Sequence, residues 1–324
     1  MKAFTWVDPE DVAAAVKAGA EQGALFKAGG VDVADRLKER IDEPSALVNL
    51  RHVQGLDFVR DDGSGGLRLG PLVTLATLAS DARVRRNALA LADAAAQAAT
   101  PQIRNAATLG GNLAQRPRCW YFRREEFKCR RKGGTACFAI DGQNEQHAVF
   151  ENDLCAIVHP SATATALSAL GATLELEGPK GKREVAIDEF FVLPSKSVLH
   201  ENVLMQGELI VAVRIPPGRK KSGYVKLMEK QSFDWPLAEA AVCWTHEGKT
   251  LKNPRVTLGA AAPVPWRAGK AEALLSGKTL DAELAVAAAR AAVQGAKPLE
   301  QNGAKVALLE MAVKRALLAA GGLS

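Results

Sequence analysis

Four cysteines, Cys119, Cys129, Cys137 and Cys155, fall in one stretch of the chain at separations of 10, 8 and 18 positions. No Cys-x-x-Cys pair occurs, which argues against a zinc ribbon or finger. Four thiolates on a glycine-containing excursion suit a cubane iron–sulfur cluster, which takes four Cys ligands. Between Arg116 and Lys132 stand eight basic residues: Arg116, Arg118, Arg123, Arg124, Lys128, Arg130, Arg131 and Lys132. Only Glu125 and Glu126 oppose them. A cubane held by four thiolates is an anion, so such cations would stabilise it and raise its potential. The same residues also read as a solvated basic loop with incidentally buried cysteines, and spacing alone leaves both readings open. The fifth cysteine, Cys243, lies in the apolar run Ala240–Trp244 and reads as a small core residue.

Two glycine pairs carry a second kind of chemistry, Lys27-Ala28-Gly29-Gly30-Val31-Asp32 and Thr108-Leu109-Gly110-Gly111-Asn112. Glycine lets the backbone approach a ligand and adopt positive φ. The amides of such a loop, together with a following helix N-terminus, can hold a phosphate. Two such turns in one domain could converge on a single diphosphate. Each is also what an ordinary strand-to-helix turn or β-turn would use.

These groups need a framework. A chain of 324 residues implies two or three domains. The hydrophobic fraction of 48% is ordinary for a globular protein. No run of about 18 apolar residues occurs, so no membrane span is expected. The first residues do not read as a signal peptide, so the cytoplasm is the default compartment. A net charge of +6 could mean a nucleic-acid partner, but the basic residues are mostly dispersed and no recognition motif accompanies them. Five cysteines without an export signal argue against a disulfide framework.

The first fifty residues read as β-α-β-α-β. An edge strand lies at 1–7, and a helix is capped at Asp8-Pro9-Glu10-Asp11. A buried strand at 24–26, a helix over 33–41 and a strand at 46–50 follow. A hairpin across Asp62–Gly66 leads to a short helix capped by Thr74. A single alanine-rich helix spans 84–99 and ends before Pro101. A helix from Pro160 stops at Gly171, and a hairpin turns at Gly178–Gly181. The strand Glu208–Ile215 precedes the clearest boundary, Pro216–Gly223. Beyond it come strands near 224–231, 237–246 and 254–260 and helices at 281–295 and 302–320, forming a compact α+β unit.

Taken together, Lys27-Ala28-Gly29-Gly30, Thr108-Leu109-Gly110-Gly111-Asn112 and Gly207-Glu208-Leu209-Ile210 before Ile215-Pro216 resemble the flavin-binding subunit of molybdenum hydroxylases. That group includes xanthine dehydrogenase, aldehyde oxidoreductase and carbon monoxide dehydrogenase. The cysteine excursion resembles the variant of aldehyde oxidoreductases and 4-hydroxybenzoyl-CoA reductase, whose extra loop holds a [4Fe–4S] cluster beside FAD. Arg118-Cys119, Cys137-Phe138-Ala139, Gln146-His147-Ala148-Val149 and Cys155–Ser161 look most like the aldehyde type.

The resemblance implies an α+β fold. A two-part FAD-binding domain of the vanillyl-alcohol-oxidase/PCMH type spans 1–217, with subdomains 1–55 and 56–217 and a cysteine insertion at about 115–158. A smaller C-terminal domain of the CO dehydrogenase flavoprotein type spans 218–324. It further implies that Phe26, Lys27, Ala28, Gly29, Gly30, Val31 and Asp32 wrap the FAD pyrophosphate. Thr108, Gly110, Gly111 and Asn112 would close over it. Ser161 would add a contact, Leu209 would lie against the flavin, and Lys226 or Lys230 would approach it. Where the family commonly has Asp after that serine, this chain has Ala162, so Thr163 is a candidate substitute. Cys119, Cys129, Cys137 and Cys155 would ligate the cluster.

The implied partners are a molybdopterin-binding large subunit, a [2Fe–2S] small subunit and an external electron acceptor. Export on a partner's twin-arginine signal would place the complex in the periplasm. A stand-alone FAD oxidase is the competing enzyme reading, although its substrate domain would be short. A subunit of a 4-hydroxybenzoyl-CoA reductase or xanthine dehydrogenase-like enzyme is another.

Overall fold

The structure is a computed structural model that describes residues 1–218 and 220–323. Arg219, inside the expected boundary segment, and the terminal Ser324 lie outside the described residues. The chain begins with β1 (Thr5–Val7), α1 (Val12–Gly19), β2 (Ala24–Lys27), α2 (Val31–Lys38) and β3 (Ala46–Asn49). The three strands form a parallel sheet with β3 in the middle. The central strand buries Leu47 and Val48, as an interior parallel strand must. Val48 joins Ala15, Leu50, Val53, Leu56 and Leu72 in a small core that also takes Leu209 from far along the chain.

Two helix starts differ from expectation. The cap of α1 is Asp11, whose Oδ1 accepts from the Ala14 amide at 2.7 Å. Asp8 is diverted into tertiary bonds, accepting from the Trp6 indole and the Asn49 amide, each at 2.7 Å. α2 starts two residues early, at Val31, because Gly30 takes the left-handed conformation (φ 82°) and turns the chain straight from strand to helix.

The second layer opens with the hairpin β4 (Val59–Asp61) and β5 (Leu67–Leu69), then α3 (Leu75–Ser80) behind its Thr74 cap. The alanine-rich stretch breaks at the buried Ala88 into α4 (Ala82–Asn87) and α5 (Leu89–Gln97), where a single helix was expected. Pro101 opens α6 (Pro101–Ala106) instead of ending a helix, since Thr100 caps it and proline is tolerated in a first turn. The second glycine pair is not a β-turn. It forms α7 (Leu109–Leu113), with the Gly111 amide donating to Thr108 Oγ1 at 3.2 Å.

A one-turn helix, α8 (Trp120–Arg123), lies in the cysteine excursion. It is followed by α9 (Ala162–Leu170), every residue of which is buried. Its Ala, Thr and Ser content lets neighbours pack on all sides. β6 (Thr173–Gly178), β7 (Gly181–Ala186), α10 (Ile187–Phe190) and β8 (Leu209–Ile215) complete an antiparallel sheet of order β4-β5-β8-β6-β7.

The last part comprises β9 (Lys220–Leu227), β10 (Ala238–Glu247), β11 (Thr250–Gly259) and β12 (Trp266–Arg267), in antiparallel order β12-β11-β10-β9. α11 (Gly269–Leu275), α12 (Ala282–Ala292) and α13 (Ala304–Gly321) pack on this sheet. β9 begins inside the expected boundary, and both β12 and α11 were missed. Asp188, on α10, joins this part to the second layer. It accepts from Ser168 Oγ at 2.6 Å and Arg267 Nη1 at 2.8 Å, and pairs with Arg255.

Asp11→Ala removes the cap of α1 and should destabilise the protein by about 1 kcal/mol. Chemical denaturation of the flavin-loaded protein checks this, and an unchanged midpoint would refute the cap.

Candidate functional site

A cleft of about 1040 Å³ runs between the layers. One wall is the end of β2 and the loop into α2, contributing Phe26, Ala28, Gly29, Gly30, Val31 and Asp32. The facing wall is α7, with Thr108, Gly110, Gly111 and Asn112. Leu209 at the start of β8 and Lys226 in β9 close the ends. The glycines explain how the walls approach. A Cβ on Gly29 would sit 2.0 Å from the Ala106 carbonyl oxygen, and one on Gly110 would sit 2.8 Å from Pro71 Cβ. A Cβ on Gly111 would meet only Thr108 Oγ1, at 3.1 Å, and Ala28 Cβ, at 3.8 Å, so this residue faces the gap between the walls. The N-terminus of α2 borders this space and suits an anionic diphosphate, whereas the first amides of α7 are already bonded to the Val73 and Pro71 carbonyls and to Thr108.

Lys27 and Ser161, both expected at the cofactor, do not line the cleft. Lys27 Nζ turns away to donate to Asn49 Oδ1 at 3.0 Å and lies over the Trp6 ring. Ser161 is fully buried: its Oγ caps α9 through the Ala164 amide and donates to Asn112 Oδ1 at 2.6 Å. Thr163 also donates to Asn112 Oδ1, at 2.7 Å, so its hydroxyl orients Asn112 and does not fill the place of a carboxylate at Ala162. The Ala162 methyl itself borders the cleft.

Lys226 is anchored through Nζ to the carbonyls of Gln97 (3.0 Å) and Asp234 (2.6 Å), and burial lowers its pKa. The other candidate lysine, Lys230, is exposed and outside the cleft.

Sequence reasoning missed Glu239, which pairs with Lys226 across β9 and β10 and borders the cleft at 2% exposure. Tyr224 donates to it at 2.6 Å, and burial raises its carboxyl pKa. The available signal was a lone acid in the apolar run Ala238–Val242. Also missed were Phe233 and Trp235, exposed aromatics at the cleft edge.

The four excursion cysteines surround one buried hollow, with Arg131, His147, Phe122 and Ile157 between them. All four carry free thiols. His147 Nε2 lies 3.3 Å from Cys119 Sγ. Burial pushes the Cys119 thiol up to about 12 and His147 down to about 4. Cys155 is drawn down, first by the Cys137 hydrogen bond and then by the Arg131 charge, while Cys137 is raised. Arg131 Nε and Nη2 and His147 Nδ1 are buried without hydrogen-bond partners. Among the described residues, no three His, Cys, Asp or Glu side chains stand close enough to hold a single metal ion.

The basic residues of the excursion do not form a uniformly solvated loop. Arg123 and Arg131 are buried and Arg116 and Arg118 mostly so. Asp32 accepts from the Arg116 amide at 3.0 Å and pairs with Arg118 at 3.0 Å, Arg123 at 2.7 Å and Arg36 at 3.4 Å. Burial alone would raise the Asp32 carboxyl, but the three guanidinium groups outweigh it and hold its pKa below the usual range. Glu201 takes Arg116 at 3.1 Å and Arg131 at 2.9 Å.

A layered α+β chain with a long cleft between glycine-built walls defines a dinucleotide-binding subunit. Residues 2–218 match the family described as the FAD binding domain in molybdopterin dehydrogenase, and residues 223–320 match the CO dehydrogenase flavoprotein C-terminal domain. The chain belongs to this family of FAD-binding flavin subunits, whose members serve oxidoreductases by electron transfer.

It is 39% identical over 281 residues to the aldehyde oxidoreductase FAD-binding subunit PaoB of Escherichia coli strain K12, covering 85% of this chain and 87% of the relative. It is 28% identical over 324 residues to the carbon monoxide dehydrogenase medium chain of Hydrogenophaga pseudoflava, covering 98% and 96%. Its fold matches solved carbon monoxide dehydrogenase from H. pseudoflava with a TM-score of 0.76 at 29% identity, covering 98% and 97% of the two chains. Quinoline 2-oxidoreductase from Pseudomonas putida 86 matches at 0.77 and 25%, covering 99% of both. No helix among the described residues is long and apolar enough to cross a membrane.

Gly111→Val should place two methyl groups in the gap between the walls and yield folded, flavin-poor protein. The flavin-to-protein absorbance ratio of the purified variant measures this, and full occupancy would show that the gap does not receive the cofactor.

Proposed function

We propose that this chain is the FAD and [4Fe–4S] subunit of an aldehyde-oxidising molybdenum hydroxylase. It would work beside a molybdopterin-binding large subunit and a [2Fe–2S] small subunit and pass electrons to an external acceptor. The observation that carries the cluster is the convergence of Cys119, Cys129, Cys137 and Cys155 on one buried hollow with unpartnered donors facing it. A cubane takes four Cys ligands, the number that line this hollow. The aldehyde assignment rests on the similarity to the Escherichia coli subunit. In this reading residues 1–217 form the flavin domain and 218–324 the C-terminal domain. The compartment is the cytoplasm, or the periplasm if a partner's signal exports the folded complex.

The cofactors supply the redox chemistry, FAD exchanging one or two electrons and the cluster one. The chain binds and orients. Phe26 to Asp32 would hold the diphosphate with Thr108, Gly110, Gly111 and Asn112 closing over it, and Leu209 and Lys226 would flank the flavin ring. Asn112, fixed by Ser161 and Thr163, would present its amide nitrogen to the cleft, because its oxygen is already used twice. Among the described residues the cleft shows no nucleophile–base pair, and in this reading substrate oxidation is the partner's task.

Each of Cys119→Ser, Cys129→Ser, Cys137→Ser and Cys155→Ser should lower the iron held by this subunit and loosen the excursion. Cys243→Ser should leave iron unchanged, since Cys243 lies in the core with Ala241 and Tyr224. Iron analysis and low-temperature EPR of the assembled complex decide it. No iron beyond that of the partner subunits would sink the proposal, and iron loss on changing Cys243 would mean a different ligand set.

A further inference from the structure

We propose that Arg131 sets the redox potential of the cysteine-bound cluster by donating Nε–H and Nη2–H to its sulfur atoms; this rests on the cluster reading above. Arg131 is 3% exposed and lies in a single turn directly after Cys129. It borders the hollow that the four cysteines surround. One arm of the guanidinium is fixed, with Nη1 donating to Glu201 Oε1 at 2.9 Å. Nε and Nη2, on the rest of the fork, are buried and meet no nitrogen or oxygen partner, and the guanidinium lies against the Cys155 thiol.

A guanidinium cannot shed its proton to escape burial. Two orphaned charged donors in a protein interior are costly unless an anionic acceptor faces them. The hollow is where such an acceptor would sit. Glu201 does not cancel the charge, because it is shared with Arg116. Hydrogen bonds to sulfur and net charge are among the levers that set iron–sulfur potentials. One electron enters from the partner's iron–sulfur centres, no ligand bond breaks, and the added negative charge is stabilised by the fixed guanidinium. Arg131 therefore favours the reduced form. Glu201 is the positioning residue that aims the fork.

The test is an EPR-monitored redox titration of the assembled complex. R131Q should keep its iron and show a lower midpoint. At the ambient potential that half-reduces the wild-type cluster, its reduced-to-oxidised ratio should fall at least tenfold, a shift of about 59 mV for one electron. R131K keeps the charge but loses the fork, so it should fall between wild type and R131Q; it carries the decision if R131Q does not hold iron. An iron-replete variant of either kind titrating at the wild-type potential overturns the proposal. Loss of iron from both would assign Arg131 to holding the cluster and overturn it too. Absence of the cluster from the wild-type subunit would instead overturn the reading on which this rests.

Discussion

The buried carboxylate of Asp32 is the constraint on which the rest of the site depends. It stands in the first turn of α2, on one wall of the cleft, and gathers Arg36 from its own helix and Arg118 and Arg123 from the distant cysteine excursion. Each guanidinium would be costly alone at this depth. Breaking one buried pair by removing a partner costs about 3–5 kcal/mol, and Asp32 serves three. The wall that borders the diphosphate space and the excursion that carries the cysteines are therefore held by the same two oxygens. Glu201 repeats the device one step further in, joining Arg116 to Arg131. These ion pairs act together with the packed aromatic side chains of Trp120, Tyr121, Phe127 and Phe138 in fixing the excursion.

Much of the framework was legible because its signals are local. The β-α-β-α-β start, the hairpins at Asp62–Gly66 and Gly178–Gly181, the Thr74 cap and the Gly171 stop each depend on residues within a few positions. The errors came where a local signal had a distant competitor. Asp8 looks like a helix cap, but Asn49, 41 residues away, claims it. The alanine run looks like one helix, but it turns at Ala88, where packing leaves no exposed surface. Thr108-Leu109-Gly110-Gly111 looks like a turn, because glycine is a poor helix former; a side-chain cap and close contact with Pro71 make it helical.

The site divides in the same way. The glycine pairs and the four cysteines were visible, since their residue types limit what they can do. The direction of the arginines was not. Arg123 meets Asp32 across 91 positions and Arg131 meets Glu201 across 70, and no periodicity or spacing records such a pair. Ser161 and Thr163 show a subtler limit. Both types were read as cofactor contacts, yet their hydroxyls spend themselves on Asn112 and act on the cleft through it.

Neighbouring residues of one segment line the cleft and the hollow. Arg118 borders the cleft and Cys119, its neighbour, borders the hollow. Consecutive Cα atoms lie about 3.8 Å apart. On the other side, Cys155 borders the hollow and Pro160 the cleft. Five residues span at most about 18 Å even when fully extended. His159, between them, is buried and held neutral, its pKa pushed down to about 3 by burial and then by Arg131. Its Nδ1 accepts from the Ser161 amide at 3.3 Å, so the connecting segment is tied to the α9 cap. With the proposed cluster in the hollow, electron exchange with the cleft would need no hinge or lid, and the arginine network that orders the excursion would fix the distance across which it occurs. This is why an insertion with so little regular secondary structure can be precise: its geometry is set by charge pairs anchored in the wall it adjoins and by its own packed aromatic side chains.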